Sequence, residues 1–152
     1  MSYKIRELQQ IDIPKIAHTY IEAYTNSVWG EAWDYEAALC RIHELSSSPC
    51  CRALICESNN NEIVGCIFCE ILSWHTGKQI EIKEVFVSSK YRGIGVGSKL
   101  VKSVEELGKI EGVSELLLWT NCCKELKSFY ESMGYYTCKE VVQFIKKTEE
   151  CK

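Results

Sequence analysis

Apolar and polar positions alternate along YKIREL, residues 3–8, closely enough to predict a first strand. Asp12 followed by Pro14 then marks a helix start, with a capping side chain ahead of a residue that needs no amide partner. That helix runs to about Asn26, and after the loop NSVWGEAW a second begins at Asp34 and continues to about Leu45, where SSSPCC ends it. CRALICES and EIVGCIFCEIL read as two apolar strands joined by Asn59, Asn60 and Asn61, residues that tolerate the left-handed conformation of a tight hairpin. A turn at residues 75–78 leads into QIEIKEVFV, in which a regular strand would put positions 81, 83, 85 and 87 on one face.

Beyond the fourth strand the period changes. Val96, Leu100, Val101, Val104 and Leu107 recur at three- and four-residue spacing, predicting a helix over about 96–110 with one apolar side for a sheet. VSELLLWT is a continuous apolar run, the pattern of a parallel strand buried on both faces. KELKSFYESM reads as a helix stopped at Gly134, and YYTCKEVVQFIKK as one or two closing strands. Strands and helices in this order predict a mixed α/β (α+β) fold, with helices on both faces of the sheet.

At 152 residues the chain fits one domain with its own core, so no metal or disulfide staple is required. A net charge of −3 and a pI near 5.7 provide no basic field for nucleic acid or an anionic membrane, and suit a cationic small-molecule substrate better. MSYKIRELQQ lacks a signal-peptide pattern and no apolar window is long enough to span a bilayer, so the expected location is the cytoplasm. The ten cysteines are then expected as free thiols. Cys66 and Cys69 do form C-x-x-C, but inside a strand such positions face opposite ways, and the pairs at 50–51 and 122–123 lack zinc spacing, so no metal is expected.

The segment of most chemical interest is VFVSSKYRGIGVGSKL, residues 85–100. A Walker loop would place lysine directly after its last glycine, whereas Ser98 intervenes before Lys99. The dinucleotide fingerprint is G-x-G-x-x-G near the first strand of a βαβ unit, but the spacing here is G-x-G-x-G after the fourth strand. What remains is a side-chain-free loop between a strand and a helix, able to turn successive N–H groups toward an anion such as a diphosphate, or simply to make a turn.

Arg92, Gly95 and Gly97 fit Arg/Gln-x-x-Gly-x-Gly/Ala, and SFYESMGY, residues 128–135, carries Y-x-x-x-G-Y one strand later. On both motifs, and over nearly its whole length, the chain resembles the GCN5-related N-acetyltransferases. The resemblance implies a single N-acetyltransferase domain over 1–152, with a mostly antiparallel sheet splayed between its fourth and fifth strands. It also implies acetyl-CoA as co-substrate and, commonly, a homodimer. Backbone amides of Arg92, Gly93, Ile94, Gly95, Val96, Gly97 and Ser98 would hold the pyrophosphate. Val85, Phe86 and Val87 would line the pantetheine, with the Val85 N–H on the thioester carbonyl.

Amine attack on a thioester needs one group to take a proton and another to return one. By resemblance, Glu81 is the favoured base, Glu84 its rival, and Tyr130 the acid. Many relatives carry Asn where this chain has Cys123, and Asn121 is the expected substitute contact. For the acceptor, Trp29, Glu31 and Trp33 combine aromatic faces with a carboxylate, which suits a polycationic amine through cation–π and ion-pair contacts, or equally a packed core beside a helix cap. GYYTCKEVVQFIKK also resembles the closing strands of bacterial aminoglycoside 6'-N-acetyltransferases, which favours an aminoglycoside. The alternatives are a peptide or protein N-acetyltransferase and a catalytically silent acetyl-CoA-binding module.

Overall fold

A computed structural model describes residues 2–148, in two compact units that meet between residues 121 and 122. The first unit carries β1 (Tyr3–Glu7), α1 (Ile13–Thr25), α2 (Tyr35–Ser47), β2 (Cys51–Ser58), β3 (Ile63–Trp74), β4 (Gly77–Val87), α3 (Val96–Glu111) and β5 (Val113–Leu118). Its five strands lie in sequence order; β1 to β4 pair antiparallel and β5 pairs parallel to β4. This is the mixed sheet that the order of elements predicts, mostly antiparallel as the family resemblance implies.

Helices cover both faces. α1 and α2 bury Ile13, Ile16, Tyr20 and Ile42 against Ile55, Cys66, Phe68 and Phe86 of the sheet. α3 takes the opposite face: a Cβ on Gly65 of β3 would meet Leu100 and Val87 side chains at 3.2 and 3.3 Å and the Phe86 carbonyl at 2.9 Å. Glycine is needed there because α3 and β4 approach too closely for any larger residue.

Local chemistry explains most boundaries. Asp34 caps α2 by accepting the Ala37 N–H at 2.8 Å. Asp12 stands at the start of α1 without capping it: its carboxylate accepts two N–H groups of Arg6, at 2.7 and 2.9 Å, and the Gln9 amide at 2.8 Å. A nearly buried carboxylate is held more strongly by a guanidinium than by a helix amide, so the ion pair wins. The Arg6 and Gln9 hydrogen bonds outweigh burial and lower the Asp12 pKa.

β5 departs from expectation. It is an edge strand among the described residues, with Ser114 and Glu115 exposed and its leucines half-buried, rather than buried on both faces. The second unit also departs. α4 (Lys124–Ser132) ends before Gly134 at φ 92°, as expected, but residues 135–148 form no strand. Val142, Phe144 and Ile145 are exposed there. The apolar doublets Val141–Val142 and Phe144–Ile145 do not alternate with polar residues, so they do not define one buried strand face.

All nine described cysteines are free thiols, and burial raises the Cys66 and Cys69 pKa values, Cys69 to about 12, which disfavours the reactive thiolate. Among the described residues no group of His, Cys, Asp or Glu is placed to hold a metal ion. No described helix is long and apolar enough to cross a membrane.

Candidate functional site

The fourth strand decides the geometry. Its register with β3 is regular from Val87↔Gly65 to Glu84↔Phe68, then jumps to Ile82↔Cys69, so Lys83 has no partner. One unmatched residue reverses the side-chain alternation. Glu81 therefore lies on the α1/α2 face with Glu84 and Phe86, while Ile80 packs toward Gly108 of α3 and Val87 toward Leu100. The expectation that positions 81, 83, 85 and 87 share a face is thus corrected: Glu81 does not share one with Val85 and Val87.

The same strand has an open edge. Ser88 donates to the Val64 carbonyl at 2.9 Å, which makes Ser88–Val64 a hydrogen-bonded pair and, two residues on, Phe86–Cys66 another. By alternation the backbone groups of Val85 and Val87 point away from β3, to the side on which β5 runs. The β5 pairing, however, ends at Ile82↔Leu118. Past the bulge, β4 thus offers the Val85 backbone groups and the Val87 N–H outside any described ladder, while the Val87 carbonyl faces Arg92. Phe86 belongs elsewhere: its backbone is turned to β3 and its ring is buried, 5.1 Å from Tyr20.

The glycine loop follows immediately. Ser89–Tyr91 makes one tight turn, Gly93 and Gly95 adopt φ of 73° and 90°, and α3 starts at Val96. At both glycines a Cβ would meet nothing within 4 Å, so the left-handed backbone, not crowding by the fold, calls for glycine. The first α3 bond is Lys99 N–H to the Gly95 carbonyl, which leaves the Val96, Gly97 and Ser98 amides at the helix N-terminus without helical partners. Ile94 is exposed and Val96 is core. These backbone donors stand at the positive end of a 16-residue helix, an arrangement able to receive an anion.

The Arg92 side chain serves the loop in another way. Its guanidinium donates to the Val87 carbonyl at 3.1 Å and the Asn26 carbonyl at 2.6 Å, and also to the Ala23 carbonyl. Glu22 accepts from the Ser89 amide at 3.0 Å and from the Ser89 hydroxyl. The C-terminal end of α1 is thereby tied to both ends of the turn ahead of the glycines, so Arg92 positions the loop through its side chain.

The acidic residues differ in what already occupies them. Among the described residues Glu81 has a single polar contact, Lys83 Nζ at 3.0 Å. Glu84 is enclosed: Oε1 accepts from Arg41 at 2.9 and 3.3 Å, and Oε2 accepts from the Tyr24 hydroxyl. Burial first, then the Glu84 charge, pushes the Tyr24 and Tyr20 phenols above their ordinary range. Arg41 and Tyr24 carried no motif in the sequence; their only signal was an arginine among apolar helix positions and Tyr20–Tyr24 at helical spacing.

The α1–α2 loop splits the expected acceptor residues. Trp33 packs edge-on against Tyr20 at 5.2 Å and donates its indole N–H to Glu31 at 2.7 Å, so these two satisfy each other. Trp29 is 41% exposed and remains a free aromatic face. Asn121 is the last residue of the first unit, just beyond β5. In the second unit Tyr130 stacks edge-on with Phe129 at 4.9 Å and Tyr135 at 5.7 Å, and burial pushes its phenol up to about 12.

These geometries meet an independent comparison. A model of the Acetyltransferase (GNAT) family matches residues 13–135. The chain belongs to the GNAT acetyltransferases. Similar proteins include the thialysine N-epsilon-acetyltransferase of Mus musculus, 33% identical over 83 residues, covering 51% of this chain and 47% of the relative. The chain spans under half the length of the curated relatives it matches. A possible acetyltransferase from Clostridium difficile 630 superposes with TM-score 0.81 at 18% identity, covering 98% and 100% of the two chains. The glucosamine-6-phosphate N-acetyltransferase of Arabidopsis thaliana gives 0.68 at 25% identity, over 98% and 100%. GNAT proteins use acetyl-CoA as co-substrate, and the open β4 edge running into the glycine loop fits that molecule.

Raised tyrosine pKa values make stability fall in alkali. Tyr20, Tyr24 and Tyr130 all have folded values above the ordinary 10.0, so the folded state holds these protons more tightly. Their contribution is full below about pH 10 and is lost as pH rises through the folded values, which for Tyr130 is about 12. Urea melts should therefore show declining stability between about pH 9.5 and 11, and a shallower decline in Tyr20→Phe. Constant stability across that range would contradict the burial assigned to these phenols.

Proposed function

We propose that residues 1–152 form a single N-acetyltransferase domain that moves the acetyl group of acetyl-CoA to the primary amine of a small molecule by direct attack. The observation that carries this reading is the open β4 edge at Val85 and Val87, continuous with the left-handed glycine loop at the start of α3. An edge strand of this kind accepts an extended amide-bearing chain, and the α3 amides accept a diphosphate. Acetyl-CoA would supply both, with an activated acyl group.

The residues of this chain then divide the work. The N–H groups of Val85 and Val87 align pantetheine, the Val87 carbonyl being held by Arg92, and the Val85 amide stabilises negative charge developing on the acyl oxygen. Gly93, Gly95, Val96, Gly97 and Ser98 hold phosphate through the backbone, with Asn121 a further contact at the end of β5. Glu81 removes the proton of the incoming ammonium; among the described residues its carboxylate is engaged by Lys83 alone, whereas Glu84 is occupied by three donors. Tyr130 is the acid for the departing thiolate; like any phenol it is protonated at neutral pH. Trp29 offers an aromatic face to a cationic acceptor.

The similarity to thialysine N-epsilon-acetyltransferases supports a small-molecule amine. The C-terminal resemblance supports polycationic aminoglycosides within that class; the location proposed is the cytoplasm and the assembly a homodimer. Thiol release from acetyl-CoA across aminoglycosides, spermidine, lysine analogues and peptides tests the reading, with turnover expected on small amines. Turnover on peptides alone would replace it by a peptide acetyltransferase, and CoA binding without turnover on any amine by a silent module.

A further inference from the structure

Resting on the transfer reading above, we infer that Arg41 is a specificity residue, and that it selects an acceptor carrying a carboxylate together with its reactive amine, as an amino acid with an amine-bearing side chain does. Arg41 comes from α2 and reaches the sheet at Glu84, on the α1/α2 face that also bears Glu81. Its side chain stays 35% exposed while that of Glu84 is only 13% exposed, so the pair presents the cation outward and the anion inward. Two guanidinium nitrogens converge on one carboxylate oxygen, Glu84 Oε1, and Tyr24 takes the other. A guanidinium has five N–H donors; Glu84 and the neighbouring Tyr20 hydroxyl engage part of them, and the planar fork leaves donors for a second carboxylate.

Glu84 neutralises Arg41 in part and fixes its direction; it is a positioning residue in this scheme. Glu81 supplies the complementary charge. The β3 partners of Glu84 and Glu81, Phe68 and Glu70, are two residues apart. Same-face residues at that spacing lie about 7 Å apart along a strand. An extended lysine side chain separates its amine from its carboxylate by a comparable length. One end of such an acceptor meets Arg41 and the other meets Glu81. A molecule bearing amines alone, an aminoglycoside included, would set a cation against Arg41, which costs affinity, so within the small amines proposed above Arg41 favours those that also carry a carboxylate.

The test uses the full chain with L-lysine, L-lysine methyl ester and 1,5-diaminopentane as acceptors. The wild type should acetylate lysine with kcat/KM roughly tenfold or more above the ester, the worth of one charge-assisted pair, with most of the difference in KM. In Arg41→Gln that ratio should collapse toward one, and Arg41→Lys should restore part of it. Equal kcat/KM for lysine and its ester in the wild type overturns the inference even if Arg41→Gln does not fold; so does an unchanged ratio in a folded variant. Failure of every amine to turn over overturns the transfer reading instead. Arg41 is then judged by thermal shift: protection by lysine beyond the ester upholds the assignment, and equal or no protection overturns it.

Discussion

Glu81→Gln should lower turnover on a primary amine at neutral pH by roughly a hundredfold or more, the usual contribution of a positioned general base. Glutamine keeps the shape and loses the proton affinity. Lys83, which pairs with Glu81, lies at the bulge and is exposed, so little structure is lost with the charge. Glu84→Gln should act differently. It removes the anion that holds Arg41 and accepts from Tyr24, so its loss falls mainly on KM for acceptors bearing a carboxylate. Steady-state kinetics of both variants, with circular dichroism to establish folding, separates these outcomes. A larger kcat loss in Glu84→Gln would transfer the base to Glu84.

Gly95→Val should weaken CoA binding about ten- to a hundredfold. Gly95 sits at φ 90°, where a β-branched residue is strained by about 1–3 kcal/mol. A valine relaxes by leaving that conformation, and the loop must then regain it to present its amides, so the strain appears in the binding constant, at 1.4 kcal/mol per tenfold. Its side chain would also occupy the open side of the loop, where a Cβ meets no atom of the protein. Because that space is outside the core, the variant should remain folded. Calorimetric titration with CoA measures the effect; an unchanged Kd in a folded Gly95→Val would contradict the anion site.

How legible all this was differs from residue to residue. Helix spacing from Val96 to Leu107, the Asp34 cap and the Asn59–Asn61 hairpin were readable because each depends on neighbours within a few positions. The glycine loop was readable for the same reason: left-handed residues between a strand and a helix leave a local mark. The face of Glu81 was not. A bulge is a mismatch in count between two strands, and the partner of Lys83 is missing on β3, far away in sequence. Asp12 was placed correctly at a helix start and given the wrong partner, since Arg6 reaches it from β1. Arg92 was read from its motif, but its side-chain bonds to the end of α1 join positions 66 and 69 residues apart.

By itself, the sequence determined the order of elements as far as α4 and the glycine loop with its helix, because short-range periodicity and backbone preference write these into adjacent residues, and its two motifs carried the family resemblance. Only the tertiary structure decided which face each β4 carboxylate occupies, that Glu84 is enclosed by Arg41 and Tyr24 while Glu81 stays open, and that β4 has an edge past Ile82. These depend on strand register and on charges brought together from α1, α2 and β4. Register and ion pairing are settled by distant partners competing for the same groups, and no local pattern carries that outcome.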